Sequence, residues 1–180
     1  MPMVKENCTA EDYWNLPESC RANLINGKLY RSLTPNTIHQ TLVLELADAF
    51  DKYVNIHADS CEVMMGPFGV NPDAEGKNWV EPDISVICDP SKLDDRGCNG
   101  APDLVIEIVS PSSRRMDYST KNALYSESGV REYWIVDPAK ERTTIYRYEE
   151  DAAPVFYLFS DDVPVSIFPE LTINVADLLK

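Results

Sequence analysis

The stretch PDLVIEIVSPSSRRMDYSTK, residues 102–121, constrains the fold more than any other. From Asp103 to Ser110 it is apolar on both faces, through Leu104, Val105, Ile106, Ile108 and Val109. That is the pattern of a strand covered on both sides, inside a sheet rather than along a half-solvated face. Glu107 interrupts it. Taking a lone carboxylate out of water is very unfavourable, so a strand of this kind implies a partner for Glu107.

The flanking segments say what surrounds this strand. Ser110-Pro111-Ser112 breaks it and offers capping hydroxyls, and Met116 to Ser128 reads as a helix stopped by Gly129. Upstream, Thr9 or Ala10 starts a short helix ending near Pro17, and Asn26-Gly27 sits between two short strand-like runs as a hairpin signal. TPNTIHQTLVLELADAFDKYV predicts a long helix capped by Thr34 or Asn36, with Leu42, Leu46, Ala49 and Tyr53 at helical spacing. CEVMM, the run through Phe68 and Val70, WVEPDISVIC, EYWIVD, TTIYRY and PVFYLF read as strands. DPSKLDDRGCNGAP reads as a loop and VADLLK as a terminal helix. The order describes a mixed α/β layer protein, one domain over residues 1–180, with a central sheet and helices packed on it.

Two strands carry a carboxylate beside β-branched residues, Asp83 in EPDISVIC and Glu107 in PDLVIEIV, where neither helps packing. A pair of carboxylates on neighbouring strands makes a hard oxygen site suited to Mg²⁺ or Mn²⁺, and the ion would answer the burial problem. Asp103 shares a strand face with Glu107 by the period of two, although it also suits a solvated strand start. In a helix from Met116, Lys121 lies on the side of Leu124 and Tyr125. If those two face the core, Lys121 points to the end of the Glu107 strand. The competing reading is a surface ion pair of Lys121 with Asp117.

The net charge of −14 weighs against a general nucleic-acid binder, because neutralising phosphates supplies most non-specific affinity. The distribution is uneven. Glu149 to Lys180 holds seven acidic residues and one basic, whereas Ser110 to Arg131 holds Arg114, Arg115, Lys121 and Arg131 against Asp117 and Glu127. Five cysteines without a C-x-x-C pair argue against a disulfide framework and a zinc ribbon. Cys88 and Cys98 read as small buried hydrophobes. No apolar run approaches the ~20 residues of a membrane span. MPMVKENCTAEDYW lacks the apolar region of a signal peptide, which gives a cytoplasmic expectation.

The segments TAEDYWNLPE, INGKLYR, HQTLVLEL, EPDISVIC and APDLVIEIVSPSSRRMDYSTKNALYSESGVREYWIVD together resemble the PD-(D/E)XK nuclease superfamily, specifically the putative restriction endonuclease family of the Uma type. The resemblance implies a restriction-endonuclease-like core, with a mixed sheet flanked by helices, and a Mg²⁺- or Mn²⁺-dependent endonuclease acting on DNA. It implies Asp83 and Glu107 as metal-binding and catalytic carboxylates, with the carbonyl of Ile108 as a further ligand. Val109 stands where the superfamily's lysine is usual, and Lys121 in the D-x-x-x-K stretch is its equivalent by this resemblance. Gln40 matches a polar position facing the site. Arg114 and Arg115 are candidates for backbone phosphate contacts or for plain solvation at a helix start. A homodimer suits double-strand cutting, although nothing in the sequence fixes it.

Two other readings stay open at this stage. One is a nuclease fold that binds or assembles and cleaves nothing, consistent with the net charge and with Val109. The other is a two-carboxylate glycosidase, which leaves Lys121 without a role. His39 and His57 lack metal-ligand spacing, Trp14, Trp79 and Trp134 suit core or interface positions, and Ser110, Ser112 and Ser113 suit turns and caps.

Overall fold

The computed structural model describes residues 3–17, 19–57, 60–150 and 152–180. In chain order the elements are β1 (Met3–Glu6), α1 (Ala10–Trp14), β2 (Ala22–Ile25), β3 (Lys28–Arg31), α2 (Thr37–His57), β4 (Glu62–Met65), β5 (Val70–Asn71), β6 (Ile84–Ile87), β7 (Leu93–Asp94), β8 (Gly97–Asn99) and β9 (Leu104–Ile108). A π-helical turn (Met116–Lys121) then runs into α3 (Asn122–Ser128), followed by β10 (Glu132–Asp137), β11 (Arg142–Arg147), β12 (Val155–Leu158), β13 (Asp162–Pro164), β14 (Thr172–Asn174) and α4 (Val175–Leu178).

The main sheet has the order β12-β11-β10-β9-β6-β4. It is mixed, with β9 parallel to β10 and antiparallel to β6. The doubly apolar strand is therefore interior, as its sequence requires. Its side chains alternate between two cores. Leu104, Ile106 and Ile108 join Leu42, Leu46 and Phe50 of α2 on one face. Val105 and Val109 join Leu124 and Tyr125 of α3 and Tyr133 and Ile135 of β10 on the other. Glu107 shares that second face.

Local signals explain most ends of elements. Thr9 and Asp12 form a reciprocal capping box on α1. Asn36 Oδ1 accepts the His39 N–H at the start of α2, so Asn36 is the cap. Asn26 and Gly27 both take positive φ, 49° and 72°, the two-residue turn that matches strand twist between β2 and β3. Gly129 ends α3 in the left-handed region at φ 89°.

Several expectations are corrected. The buried stripe of α2 is Leu42, Val43, Leu46, Ala47, Phe50 and Val54, and Ala49 and Tyr53 lie only at its margin. The segment after β6 is no plain loop, because β7 and β8 pair within it and β8 also pairs with β5. Cys88 is no isolated hydrophobe. Continuing the Glu62↔Ile87 pairing by one position brings it opposite Cys61, and the two form a disulfide. Cys98 is buried as expected, and burial pushes its thiol up to about 11. No helix among the described residues is long and apolar enough to cross a membrane.

A second buried glutamate shows how this fold handles a carboxylate that has only a structural task. Glu132 on β10 is fully buried, and Oε1 accepts Trp134 Nε1 at 2.7 Å. Oε2 accepts the backbone N–H of Ser166 and Ile167 and the Ser166 hydroxyl, at 2.8, 3.1 and 2.6 Å. Four donors close both oxygens and tie residues 166–167 to the sheet. Replacing Glu132 by Ala strands those donors in the interior, and we expect a loss of about 2–4 kcal/mol in urea unfolding. A loss below about 0.5 kcal/mol would contradict this account.

Candidate active site

Asp83 immediately precedes β6, and Glu107 lies in β9. Continuing the Ile84↔Ile106 register by one position sets the two acids opposite each other, where cross-strand Cβ atoms are about 4.5–5.5 Å apart. The Ile108 N–H donates to Asp83 Oδ2 at 2.7 Å, which fixes that carboxylate against the end of β9. His39 Nε2 from α2 lies 3.2 Å from the same oxygen, while its Nδ1 is buried without a hydrogen-bond partner.

The partner required by Glu107 is Lys121, whose side chain is 1 % exposed. Lys121 Nζ donates to Glu107 Oε1 at 2.6 Å, and the Tyr125 hydroxyl donates to the same atom at 2.8 Å. The inward orientation follows from helical phase, since Lys121, Leu124 and Tyr125 are all buried on one side. Asp117, one turn earlier, is also buried. Its Oδ1 is 4.0 Å from Lys121 Nζ, and neither carboxylate oxygen has a well-aligned hydrogen-bond partner among the described residues, although the Ser113 hydroxyl is near enough to favour the charged form. The Asp117–Lys121 pairing thus exists, but in the interior rather than on the surface. π-Helical turns such as the one carrying both residues occur frequently at functional sites.

Three carboxylates and one ammonium give this group an excess of negative charge. Burial pushes the Glu107 carboxyl above its ordinary value, opposed by the Lys121 charge and reinforced by Asp83 and Asp117. Burial likewise raises Asp117 to about 6, again opposed by Lys121. Burial alone would disfavour the Lys121 ammonium, but Glu107 and Asp117 outweigh it and the amine stays charged beyond its ordinary range. Tyr125 is raised well above its ordinary value by burial and then by the Glu107 charge, so it acts as a neutral donor.

Asp83, Glu107, Ile108, Lys121 and His39 all line one cleft of about 250 Å³. Residues 110–113 line another part of its wall. Three residues expected at the site are placed elsewhere. Gln40 is exposed and outside the cleft, and its neighbour His39 is the α2 residue that faces Asp83. Arg114 directs both terminal nitrogens at the buried Asp137 carboxylate, a bidentate pair that occupies its fork. Arg115 is exposed outside the cleft wall. Asp103 is no solvated strand start, because its Oδ2 accepts the Cys88 N–H and its Oδ1 meets Arg131.

The mixed sheet flanked by helices is restriction-endonuclease-like, and it carries a buried acid, Glu107, with a lysine against it and a half-buried one, Asp83, opposite. Residues 10–176 match the Uma2 family, described as putative restriction endonuclease, and the chain belongs to that family. A solved structure described as a putative nuclease belonging to DUF820, from Anabaena variabilis, superposes with a TM-score of 0.76 at 23 % identity, covering 94 % of this chain and 96 % of that one. A Synechocystis protein described as uncharacterized, slr1290, is 23 % identical over 144 residues, 78 % of this chain and 74 % of its own.

The raised Asp117 carboxyl has a consequence for stability. The folded chain holds a proton on Asp117 that the unfolded chain, with an ordinary value of 3.8, releases. Stability therefore falls as pH rises from about 4 through about 6. We expect Asp117→Asn to remove that decline and to gain roughly 1–3 kcal/mol relative to the parent at pH 8. Thermal melts at pH 5 and pH 8 check this, and an unchanged pH slope in the variant would refute it.

Proposed function

We propose that the chain is a Mg²⁺- or Mn²⁺-dependent endonuclease that hydrolyses phosphodiester bonds in DNA, with its chemistry at Asp83, Glu107 and Lys121. The observation that carries the reading is the Glu107–Lys121 pair. Glu132, one strand away, has both oxygens closed by protein donors, whereas the hydrogen bonds of Glu107 all end on Oε1 and the residue opens on a cleft. A purely structural carboxylate needs no cleft.

The donor set suits a hard cation. Glu107 Oε2 and Asp83 Oδ1 take no hydrogen bond from the described residues, and the local charge is in excess on the negative side. Among the described residues no group of three or more His, Cys, Asp or Glu side chains converges on one point. Such a set agrees with Mg²⁺, which is commonly held by one or two carboxylates and keeps several waters. Asp83, Glu107 and the carbonyl of Ile108 would hold the ion, which would polarise a phosphoryl oxygen and acidify a bound water.

The remaining roles belong to the chain. Lys121 stays charged at neutral pH, so it donates a hydrogen bond to the attacking water or to the phosphate as negative charge builds there, rather than abstracting a proton. Tyr125 and Lys121 together fix the Glu107 carboxylate plane through Oε1. The Ile108 N–H holds Asp83 through Oδ2 and His39 Nε2 lies against the same oxygen, on the helix where the resemblance places Gln40 as a polar residue facing the site.

A second reading is a nuclease fold that binds without cutting. The tight Lys121 contact on Glu107 and the net charge of −14 favour it. Supercoiled plasmid incubated with Mg²⁺ or Mn²⁺ separates the two. We expect metal-dependent nicking that Glu107→Gln and Lys121→Met each reduce by about 10²-fold or more. Nicking that persists in folded Glu107→Gln protein would remove the chemistry from this site. No nicking by the parent under any divalent ion would favour the binding reading.

A further inference from the structure

The cleft wall contains a second built feature that the acid pair does not use. Arg21, at the approach to β2, lines the cleft beside Asp83. Its Nε donates to Glu81 Oε2 at 2.8 Å, and no hydrogen bond among the described residues engages either terminal nitrogen. Glu81 is itself held on three sides. Its N–H donates to the buried Asn23 Oδ1 at 2.9 Å, its Oε1 faces the Tyr13 hydroxyl at 3.4 Å, and its side chain is only 12 % exposed. The Arg21 carbonyl accepts the Ser32 N–H at 2.9 Å, so the backbone is fixed as well.

Position matters as much as orientation. A Cβ built on Gly66 would meet Arg21 Nη2 at 3.7 Å, and the Gly66 N–H donates to the Asp83 carbonyl. The guanidinium is thus carried to the end of β6 where the acid pair begins. Of the two Lys or Arg side chains in the cleft wall, Lys121 is buried against Glu107, whereas Arg21 is 41 % exposed. A guanidinium anchored through Nε presents a planar fork of N–H groups matched to two oxygens of one phosphate.

We propose that Arg21 grips a backbone phosphate of the nucleic acid next to the one at the Asp83–Glu107 centre, with Glu81 as the residue that aims it. The inference rests on the nuclease reading of the cleft and adds the contact that holds the strand there. Arg21 binds substrate and takes no part in bond breaking.

The test is fluorescence anisotropy of a labelled DNA duplex titrated with the full chain, in Ca²⁺ in place of Mg²⁺ so that cutting does not intervene, over a series of KCl concentrations. Arg21→Ala is expected to raise Kd about tenfold or more and to lower the slope of log Kd against log salt by about 1. Arg21→Lys keeps the charge and an ion pair with Glu81 but loses the fork. It should match the parent in thermal stability and in salt slope while still binding several-fold more weakly. Parent-like affinity in Arg21→Lys together with a parent-like slope in Arg21→Ala would overturn the proposal and leave the Arg21–Glu81 pair as a structural tie. Absence of DNA binding by the parent chain would overturn the nuclease reading and this inference together.

Discussion

The fold is arranged around one buried ion pair. Glu107 occupies an interior strand whose other residues are apolar on both faces, and Lys121 reaches it from a helix that has to pack on that face. Breaking such a pair by removing one partner leaves an uncompensated charge in the interior, commonly 3–5 kcal/mol of destabilisation. Replacing both partners by apolar groups is often neutral or better. Stability alone therefore gives weak reason for the pair to exist. The cleft beside it, and the third carboxylate at Asp117 without a well-aligned donor among the described residues, give a stronger one.

Glu132 and Glu107 make the argument sharper because they differ in so little else. The parallel register pairs Glu132 with Leu104, so the two acids sit on neighbouring strands a few residues apart, and both are buried. Glu132 receives four donors, three of them from the segment 166–167 that it ties to the sheet. Glu107 receives a cation and a phenol on one oxygen only. One carboxylate is closed by the chain and the other is open to something outside it. Asp137 follows the first pattern, its two oxygens closed by the fork of Arg114.

What the sequence reveals follows the physics of each signal. Asp83 and Glu107 are legible because a carboxylate among β-branched residues contradicts its surroundings, and a contradiction in a short window needs no knowledge of the fold. Lys121 is legible through helical phase relative to Leu124 and Tyr125. Phase is also where reading fails, since α2 turns by about 100° per residue and one step exchanges the exposed Gln40 for His39 against Asp83. The same kind of slip places Ala49 and Tyr53 at the margin of the helix's buried stripe. Contacts between distant segments leave no local trace. Cys61 meets Cys88 only because β4 and β6 pair in a particular register, and Arg114 meets Asp137 across a separation of 23 residues. Arg21 has no signal at all, because its value depends on where β2 lies against the end of β6.

An acidic chain that is to act on a polyanion, as the proposed function requires, would have to reverse its charge locally, and the cleft suggests how. The charge of the Lys121 ammonium is already matched by Glu107, so that pair adds little net positive charge to the cleft even though further N–H donors of the ammonium remain. A divalent ion between the carboxylates would relieve the excess negative charge around Lys121 and supply positive charge at the point of chemistry. Arg21 would supply it one step away, aimed by a glutamate whose own charge is taken up in the aiming. The overall charge of −14 opposes phosphate binding in general. On the proposed function, the same charge distribution that weakens indiscriminate binding would confine productive contact to the cleft, and the acidity of the chain would act as a filter on where nucleic acid settles.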